Sequence, residues 1–543
     1  MKRKFQFVIA LLILGFIGCE TAEKKDAIEN KRETKRPNIL FIMSDDHAYQ
    51  AISAYDNRLI HTPHIDRIAN EGMLFTNASV TNSICAPSRA TILTGKHTHM
   101  HGKIDNLRAF DTSQLTFPQL FQEAGYQTSM FGKLHFGNNP KGVDDFMIVP
   151  GQGRYINPDF ITSRGDTVHK VGYVTDIITD LAIDWLDKKR DTGKPFLMMY
   201  LHKAPHRPWW PRWDKFDTFS KLKFPEPETL FDNYENRGTA AGTAEMNILK
   251  HMLISNDNKV LPDAVTSMGI IPDPRDKKWF LRGDFKRANE AQKPYYQKVI
   301  DSITADFKKQ WPLMDDKEKM RWKFQRYLQD YLACVSSVDD NVGRVLDYLE
   351  ENDLAENTMV VYTSDQGFYL GEHGWFDKRF MYNESFKTPL MVRWPNEIKA
   401  GTTNDELVQN LDFAQTFLEA AGIESPGDMQ GESLMPLLKG DHENWNREGV
   451  YYHYYEYPAE HAVKRHYGIA TKAFKLMHFY HDVDEWELYD LEKDPKEMNN
   501  VYHDPAYAMT VDKLKKALKA MRLKYKDSPE LDKKFIEQYN NKK

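Results

Sequence analysis

The chain has 543 residues, past the length at which a single hydrophobic core stops growing, so one large domain with a smaller one beside it is expected. Hydrophobic residues at 41% and charged residues at 28%, mixed in sign, exclude intrinsic disorder away from the termini. A formal net charge of −6 argues against nucleic acid as a partner, so an anionic ligand has to meet locally clustered cations.

At the start of the chain, Met1-Lys2-Arg3-Lys4 supplies positive charge, and residues 7–17 form an apolar run too short to span a bilayer. Residues 1–18 therefore read as an export signal. The run ends in Gly18-Cys19, which resembles a bacterial lipoprotein cleavage site with Cys19 as the lipidated residue; ordinary signal cleavage is the alternative. The expected location is the periplasm or outer-membrane surface, with the N-terminal lipid as the sole membrane contact. Residues 19–36, almost all charged or small, read as a solvated tether. Of the three cysteines, Cys334 falls in an apolar helical stretch and reads as core, and no disulfide is obvious even though an exported chain could form one. Cys85 is left wanting an explanation.

From residue 37 onward, short apolar runs alternate with amphipathic helices, the pattern of an α/β domain built on a mainly parallel sheet. Residues 38–43 are a first strand, running straight into Ser44-Asp45-Asp46. Helices are expected at 64–71 and 116–124, with Gly72 and Gly125 as C-caps. Further strands are expected at 126–131 and 195–201, a long helix at 327–351 and another strand at 358–362. That last strand leads into Thr363-Ser364-Asp365-Gln366-Gly367, again setting an acid and an amide just past a strand end, where open α/β sheets bind ligands. Residues 207–326, rich in Trp, Pro and charge, read as a helical insertion. After Gly422 the text changes to short strands at 451–455, 467–471, 474–480 and 486–489, closed by a helix over 510–524.

The run Cys85-Ala86-Pro87-Ser88-Arg89, followed by Thr94-Gly95, closely resembles the signature of formylglycine-dependent (type I) sulfatases. The resemblance extends from about residue 38 to about residue 500 and includes Glu487-Leu488-Tyr489-Asp490-Leu491 near its end. It implies an α/β fold of the alkaline-phosphatase type, a mixed sheet sandwiched by helices, over residues 37–425. A smaller C-terminal subdomain, an antiparallel sheet plus helix, would occupy residues 426–543. It also implies that a separate maturation enzyme oxidises Cys85 to formylglycine (3-oxoalanine), whose hydrate offers one hydroxyl to attack sulfur and a second to expel sulfate. A serine would be trapped as its sulfate ester.

Other positions match the family's site in turn. Asp45, Asp46, Asp365 and Gln366, with Cys85, correspond to its calcium ligands, Gln366 standing where members often carry Asn; oxygen donors and no Cys/His cluster suit a hard cation rather than zinc. Lys133 and His135, two apart after a strand, match a Lys-X-His segment that binds sulfate and handles the diol proton. His206 in Ala204-Pro205-His206 matches the histidine near the leaving oxygen, a general acid, and Lys378 matches a second sulfate-binding lysine. Arg89, one helical turn after Cys85, would neutralise the nucleophile.

The lipoprotein signal and the sulfatase pattern together resemble bacterial enzymes that degrade sulfated polysaccharides. They imply a sulfated glycan substrate, a glycosaminoglycan or an algal polysaccharide such as ulvan. Trp209, Trp210, Tyr457, His461, Arg465 and His466 are candidates for sugar contacts or, equally, for packing between domains. Two other readings remain open: a phosphodiesterase or phosphonate monoester hydrolase using the same nucleophile, and a catalytically dead glycan-binding lipoprotein.

Overall fold

The computed structural model describes residues 36–540; the expected leader, the lipid site at Cys19 and nearly all of the tether lie outside the described residues. Residues 37–540 form one compact unit. Its frame is a ten-stranded sheet in the order Thr402–Asn404, Met73–Phe75, Leu390–Arg393, Thr358–Ser364, Asn38–Ser44, Phe196–Leu201, Gln127–Gly132, Asp145–Ile148, Asp159–Thr162 and Thr167–His169. Five consecutive strands, Thr358–Ser364, Asn38–Ser44, Phe196–Leu201, Gln127–Gly132 and Asp145–Ile148, are mutually parallel, and antiparallel pairs flank them on both sides, so the sheet is mixed.

The central strands are unbroken apolar runs because both faces of the sheet are covered. Leu40, Ile42, Met198, Tyr200, Val360 and Tyr362 point into one core, and Ile39, Phe41, Met43, Leu197, Met199 and Val361 into the other, the alternation a strand imposes. One side is covered by the helix Asp316–Glu351, which buries Tyr331, Val335, Val338 and Val342. Asp315 and Glu318 form its capping box, so it starts eleven residues before the expected position 327. Cys334 lies on this helix in the core, unpaired. The other side is covered by Phe117–Glu123 and Phe413–Ala420, whose Phe417 meets Phe41 edge to face at a centroid distance of 5.4 Å.

The stretch 207–326 contributes short helices and the longer Lys293–Gln310, which pack into the same core as Asp316–Glu351. Toward the C-terminus, Val450–Tyr454, His466–Ala470, Phe474–Phe479 and Glu485–Asp490 form a four-stranded antiparallel sheet, with Ala508–Lys524 against one face. Its other face shares a core with Trp375, Phe380 and Tyr382, so this sheet buttresses the segment that carries Lys378. No described helix is long and apolar enough to cross a membrane.

Candidate active site

Because the central strands run parallel, their C-terminal ends emerge along one edge, and the register decides which residues meet there. Ser44 pairs with Ser364, which sets Asp45 beside Asp365; Met43 and Gly132 both pair with Leu201, which brings Lys133 alongside. The Lys133 amide donates to the Leu201 carbonyl at 2.9 Å and that of Asp365 to the Ser44 carbonyl at 3.2 Å, fixing both turns. Asp46 turns back with φ at +65°, an uncommon value for an aspartate, and its amide donates to Asp365 Oδ1 at 3.1 Å.

Cys85 is the first residue of the helix Cys85–Thr94, so the positive dipole end of the helix faces the site, while Asn106 takes the Ala86 amide, Pro87 has none and the Ser88 amide bonds the Ile84 carbonyl. Ser88 anchors this helix to the Asp365 carbonyl, and Gly95, at φ +62°, ends it in the left-handed region. Fully buried, Cys85 Sγ lies 3.3 Å from Asp45 Oδ1, 3.5 Å from Lys378 Nζ, 3.7 Å from Gln366 Nε2 and 4.0 Å from Lys133 Nζ. Burial and then Asp45 push the thiol's pKa well up, so an unmodified Cys85 is a neutral thiol and a poor nucleophile in this setting.

Three acids and three cations interlock around that sulfur. Lys133 binds Asp45; Lys378 Nζ lies 2.5 Å from Asp46 Oδ1; Arg89 grips Asp365 Oδ2 through Nε and Nη2, both at 2.8 Å. Arg89 also bonds the Lys133 carbonyl. Burial and the neighbouring Asp45 raise Asp365 to about 7, despite Arg89. One oxygen of Asp45, Asp46 and Asp365 each lies within 4.8 Å of the others. Among the described residues, nothing donates a hydrogen bond to the buried Asp46 Oδ2 or Gln366 Oε1, while Gln366 Nε2 donates to Asp46 Oδ1. Buried acceptors left unsatisfied beside clustered carboxylates form a donor set that suits a hard, oxygen-seeking cation.

His206 closes the cluster from the far side, its Nε2 3.7 Å from Asp46 Oδ2 and its Nδ1 2.6 Å from the Arg207 carbonyl. The Nδ1–H thus donates to that carbonyl, leaving Nε2 turned to the site. Burial and then Lys133 lower its pKa well below the usual range.

Nine of the ten site residues read from sequence therefore converge: Asp45, Asp46, Cys85, Arg89, Lys133, His206, Asp365, Gln366 and Lys378. His135 makes no hydrogen bond or ion pair with them. The strand stops at Gly132, and His135 sits at φ +65°, so the two-residue alternation that would aim it with Lys133 does not continue. Burial and Lys133 still lower its pKa.

Above the cluster opens a cavity of about 580 Å³ that reaches from His206 and Lys378 past Asp377, Arg379, Glu456 and His461 to Lys278, Trp279 and Arg282. Asp377 Oδ2 lies 3.2 Å from His461 Nε2, and Arg379 bonds Asp377 and faces Glu456. Among the candidates for sugar contacts, His461 lines this cavity. Trp209 packs on Tyr327 and Trp210 stacks on Phe285, both in the core; His466 stacks on Tyr452, and Arg465 is paired with Asp482. Aromatic residues in polar text resemble a sugar platform, but here they seal the insertion. Missed from sequence were Gln152, which accepts from Lys133 at 2.5 Å, and Asn106, which holds the Ala86 amide at 3.0 Å. No motif marks either one. Asp377 and Arg379, which flank Lys378, carried a signal in their adjacency to it.

Comparison with known proteins agrees with this geometry. The sulfatase family model matches residues 37–423, and a model for the C-terminal region of N-sulphoglucosamine sulphohydrolase matches residues 371–524. An N-acetylglucosamine-6-O-sulfatase of Bacteroides thetaiotaomicron is 48% identical over 530 residues, 96% of this chain and 91% of its own. The human N-acetylglucosamine-6-sulfatase is 27% identical over 75% of this chain and 65% of its own length. A solved structure of a protein in complex with its substrate, D-glucosamine-2-N,6-O-disulfate, superposes with a TM-score of 0.86 at 47% identity, covering 91% of this chain and 99% of that one. A phosphonate monoester hydrolase of Silicibacter pomeroyi shares the fold at a TM-score of 0.64 and 19% identity, covering 90% of this chain and 96% of its own. The chain belongs to the sulfatase family, with the alkaline-phosphatase type of fold, and is a sulfuric ester hydrolase.

Proposed function

We propose that the chain removes the 6-O-sulfate of a glucosamine unit in a sulfated glycan of the glycosaminoglycan type, using Cys85 matured to formylglycine and a calcium ion at Asp45, Asp46, Asp365 and Gln366. The observation that carries the reading is the convergence on residue 85 of two lysine ammonium groups and a helix N-terminus, with Lys378 also lining a cavity of sugar size. The activity of the relative at 48% identity suggests the sugar and the position, and the disulfated glucosamine bound by the protein at 47% identity suggests the same sugar.

The charge balance of the cluster supports the metal. Lys133 and Lys378 neutralise Asp45 and Asp46 in this structure. If the same lysines turn to hold the oxygens of a sulfate ester, those carboxylates need another cation; Asp46 Oδ2 is unsatisfied, and Gln366, whose Nε2 donates to Asp46 Oδ1 here, offers Oε1 once its amide flips. When present, formylglycine supplies the nucleophilic oxygen at position 85, and calcium supplies Lewis-acid polarisation of the ester.

The chain's own groups do the rest. Lys133 and Lys378 bind and orient the ester oxygens, and the helix N-terminus adds its dipole. Arg89 holds Asp365 and the Lys133 backbone in register, keeping the floor rigid. The Arg207 carbonyl fixes the His206 ring by Nδ1 and aims Nε2 at the departing sugar oxygen; burial and Lys133 keep the free imidazole neutral, and the anionic ester bound beside it favours the Nε2-protonated form that gives a proton to that oxygen. Burial of all these groups excludes water that would otherwise screen the lysines.

The maturation enzyme, export, lipid at Cys19 and a periplasmic or outer-membrane location belong to the same proposal and rest on the sequence alone. The experiment is sulfate release by matured enzyme from 6-O-sulfated N-acetylglucosamine, its galactosamine counterpart, ulvan oligosaccharides, an aryl sulfate and a phosphodiester. Release from the glucosamine substrate at a kcat/KM at least about a hundredfold above the others is expected. Preference for ulvan would redirect the substrate, preference for the phosphodiester would redirect the reaction, and binding without release anywhere would favour the glycan-binding reading.

A further inference from the structure

A second cavity, of about 320 Å³, adjoins the first and shares Gln152, Arg154, His206 and Arg207 with it. Two hydrogen bonds tie it to the ester site: Gln152 accepts from Lys133 at 2.5 Å, and the Tyr155 hydroxyl donates to the His206 carbonyl at 2.5 Å.

Lys203 lines this cavity and is 1% exposed, yet its ammonium has no hydrogen-bond acceptor or carboxylate partner among the described residues; what it has is the Tyr155 ring, 4.3 Å from Nζ to centroid. Burial, and then Lys133, pull its pKa down to about 8, the mark of a cation kept where it is poorly stabilised. Asp284 and Asp45 attract it only from beyond ion-pair distance. Burying an ammonium without a counter-ion in contact costs stability, so packing alone would favour methionine or leucine at this position. Gly153, at φ +69°, packs here with no side chain; a Cβ would meet Val149 Cγ2 at 2.7 Å and Lys203 Cδ at 3.3 Å. Other cations on the wall already have partners. Arg207 holds Asp257 at 2.9 and 2.7 Å, and Arg287 holds Asp159 at 2.9 Å. Arg154, 46% exposed at its side chain, has among the described residues only Asp284, at 3.8 Å. The unbalanced positive charge of the cavity therefore comes from Lys203 and Arg154.

We propose that this cavity is a second anion subsite, in which Lys203 and Arg154 hold a second anionic substituent of the substrate while the ester to be cleaved lies at Cys85. The anion is a sulfate on the same sugar or the carboxylate of a neighbouring uronic acid. The proposal rests on the glucosamine reading above and adds what the enzyme demands beyond the scissile ester.

The test measures kcat/KM of matured enzyme on three substrates: 6-O-sulfated N-acetylglucosamine, glucosamine carrying N- and 6-O-sulfates, and a disaccharide joining 6-O-sulfated N-acetylglucosamine to a uronic acid. One doubly anionic substrate is preferred by about tenfold or more, as a charge-assisted contact gives; which one identifies the source of the anion. Lys203→Met reduces that preference to less than about twofold and leaves the melting temperature unchanged or higher, since it removes a buried unpaired charge. Arg154→Ala lowers the preference by a smaller factor. Equal kcat/KM on all three substrates, or a preference that survives Lys203→Met, overturns the proposal. So does a Lys203→Met protein with a lowered melting temperature and intact preference, which would make the ammonium a structural group. Release from none of the three overturns the glucosamine reading itself, and this subsite with it.

Discussion

Around Cys85, every polar side chain is held from two or more sides: Asp45, Asp46, Lys133, Asp365 and Gln366 are fully buried, on turns whose spacing is set by the ladder of the parallel strands. At the mouth of the same cavity, Lys278 and Arg282 are exposed and Trp279 is half-buried, all on the short helix Pro274–Arg282 within the insertion. The first region is built for fixed charge geometry, the second for contact with something that varies. The chemistry of sulfate transfer therefore depends on the strand ends and the choice of glycan on the insertion, and substitutions in the two regions are expected to act on different kinetic constants.

The largest effect is expected at the floor. Cys85→Ala removes the nucleophile and should lower sulfate release by roughly 10⁴-fold or more while the melting temperature stays within a few degrees, checked by single-turnover assay and calorimetry. A large unfolding shift would mean that Cys85 mainly supports the core. Chelation should lower activity by roughly 10³-fold, with calcium restoring it better than magnesium, because the donor set is all oxygen and not octahedrally constrained; undiminished activity after exhaustive chelation would remove the metal from the account.

His206→Ala should cost about 10² to 10⁴-fold with a sugar leaving group, and much less with an aryl sulfate, whose leaving oxygen needs no proton. Equal losses on both would assign His206 to binding instead. At the mouth, Trp279→Ala should raise KM by roughly tenfold with kcat nearly unchanged, the pattern of lost uniform binding. A fall in kcat at constant KM would break the contrast between the two regions.

The smallest effect concerns stability far from the site. Asp527 accepts from Tyr451 and pairs with His453 at 3.0 Å, and Arg522 lies 3.6 Å away, where Ala508–Lys524 meets the C-terminal sheet. Although burial alone would raise it, His453 and its other partners depress the Asp527 pKa. A depressed carboxylate contributes stability that is fully present above its unfolded value of about 4 and is lost as pH falls below it. Asp527→Asn should therefore lower stability by roughly 1–3 kcal/mol at pH 7, by removing the buried carboxylate that Tyr451, His453 and Arg522 share, and flatten the acid limb of a denaturation curve. An unchanged acid limb would contradict this.

Much of the frame and most of the floor were legible in the sequence, for a common reason. Central strands covered on both faces must be apolar runs, so residues 38–44 and 358–364 stand out, and the acids that follow are conspicuous because nothing else polar is near. The run Cys85 to Arg89 and its Thr94-Gly95 end are local, so their signal survives without tertiary information. Strands Asp159–Thr162 and Thr167–His169 escaped because they are short and lie at a half-exposed edge. The first turns of Asp316–Glu351 were missed because they are highly charged, although the capping box at Asp315 was there to be read. Trp209 and Trp210 show the limit in the other direction: the same residue types serve a sugar platform and a sealed core, and only burial separates them. Gln152 and Lys203 could not have been found, since what marks them is the partner each one has or lacks in space.

The central claim is that residue 85, once oxidised, is the nucleophile of a sulfate ester hydrolase. The measurement that tests it most directly varies coexpression of a maturation enzyme, determines by mass the fraction of chains carrying formylglycine at position 85, and plots sulfate release from 6-O-sulfated N-acetylglucosamine against that fraction. A straight line through the origin is expected, with no release at zero maturation; sulfate release that is independent of the matured fraction would contradict the account.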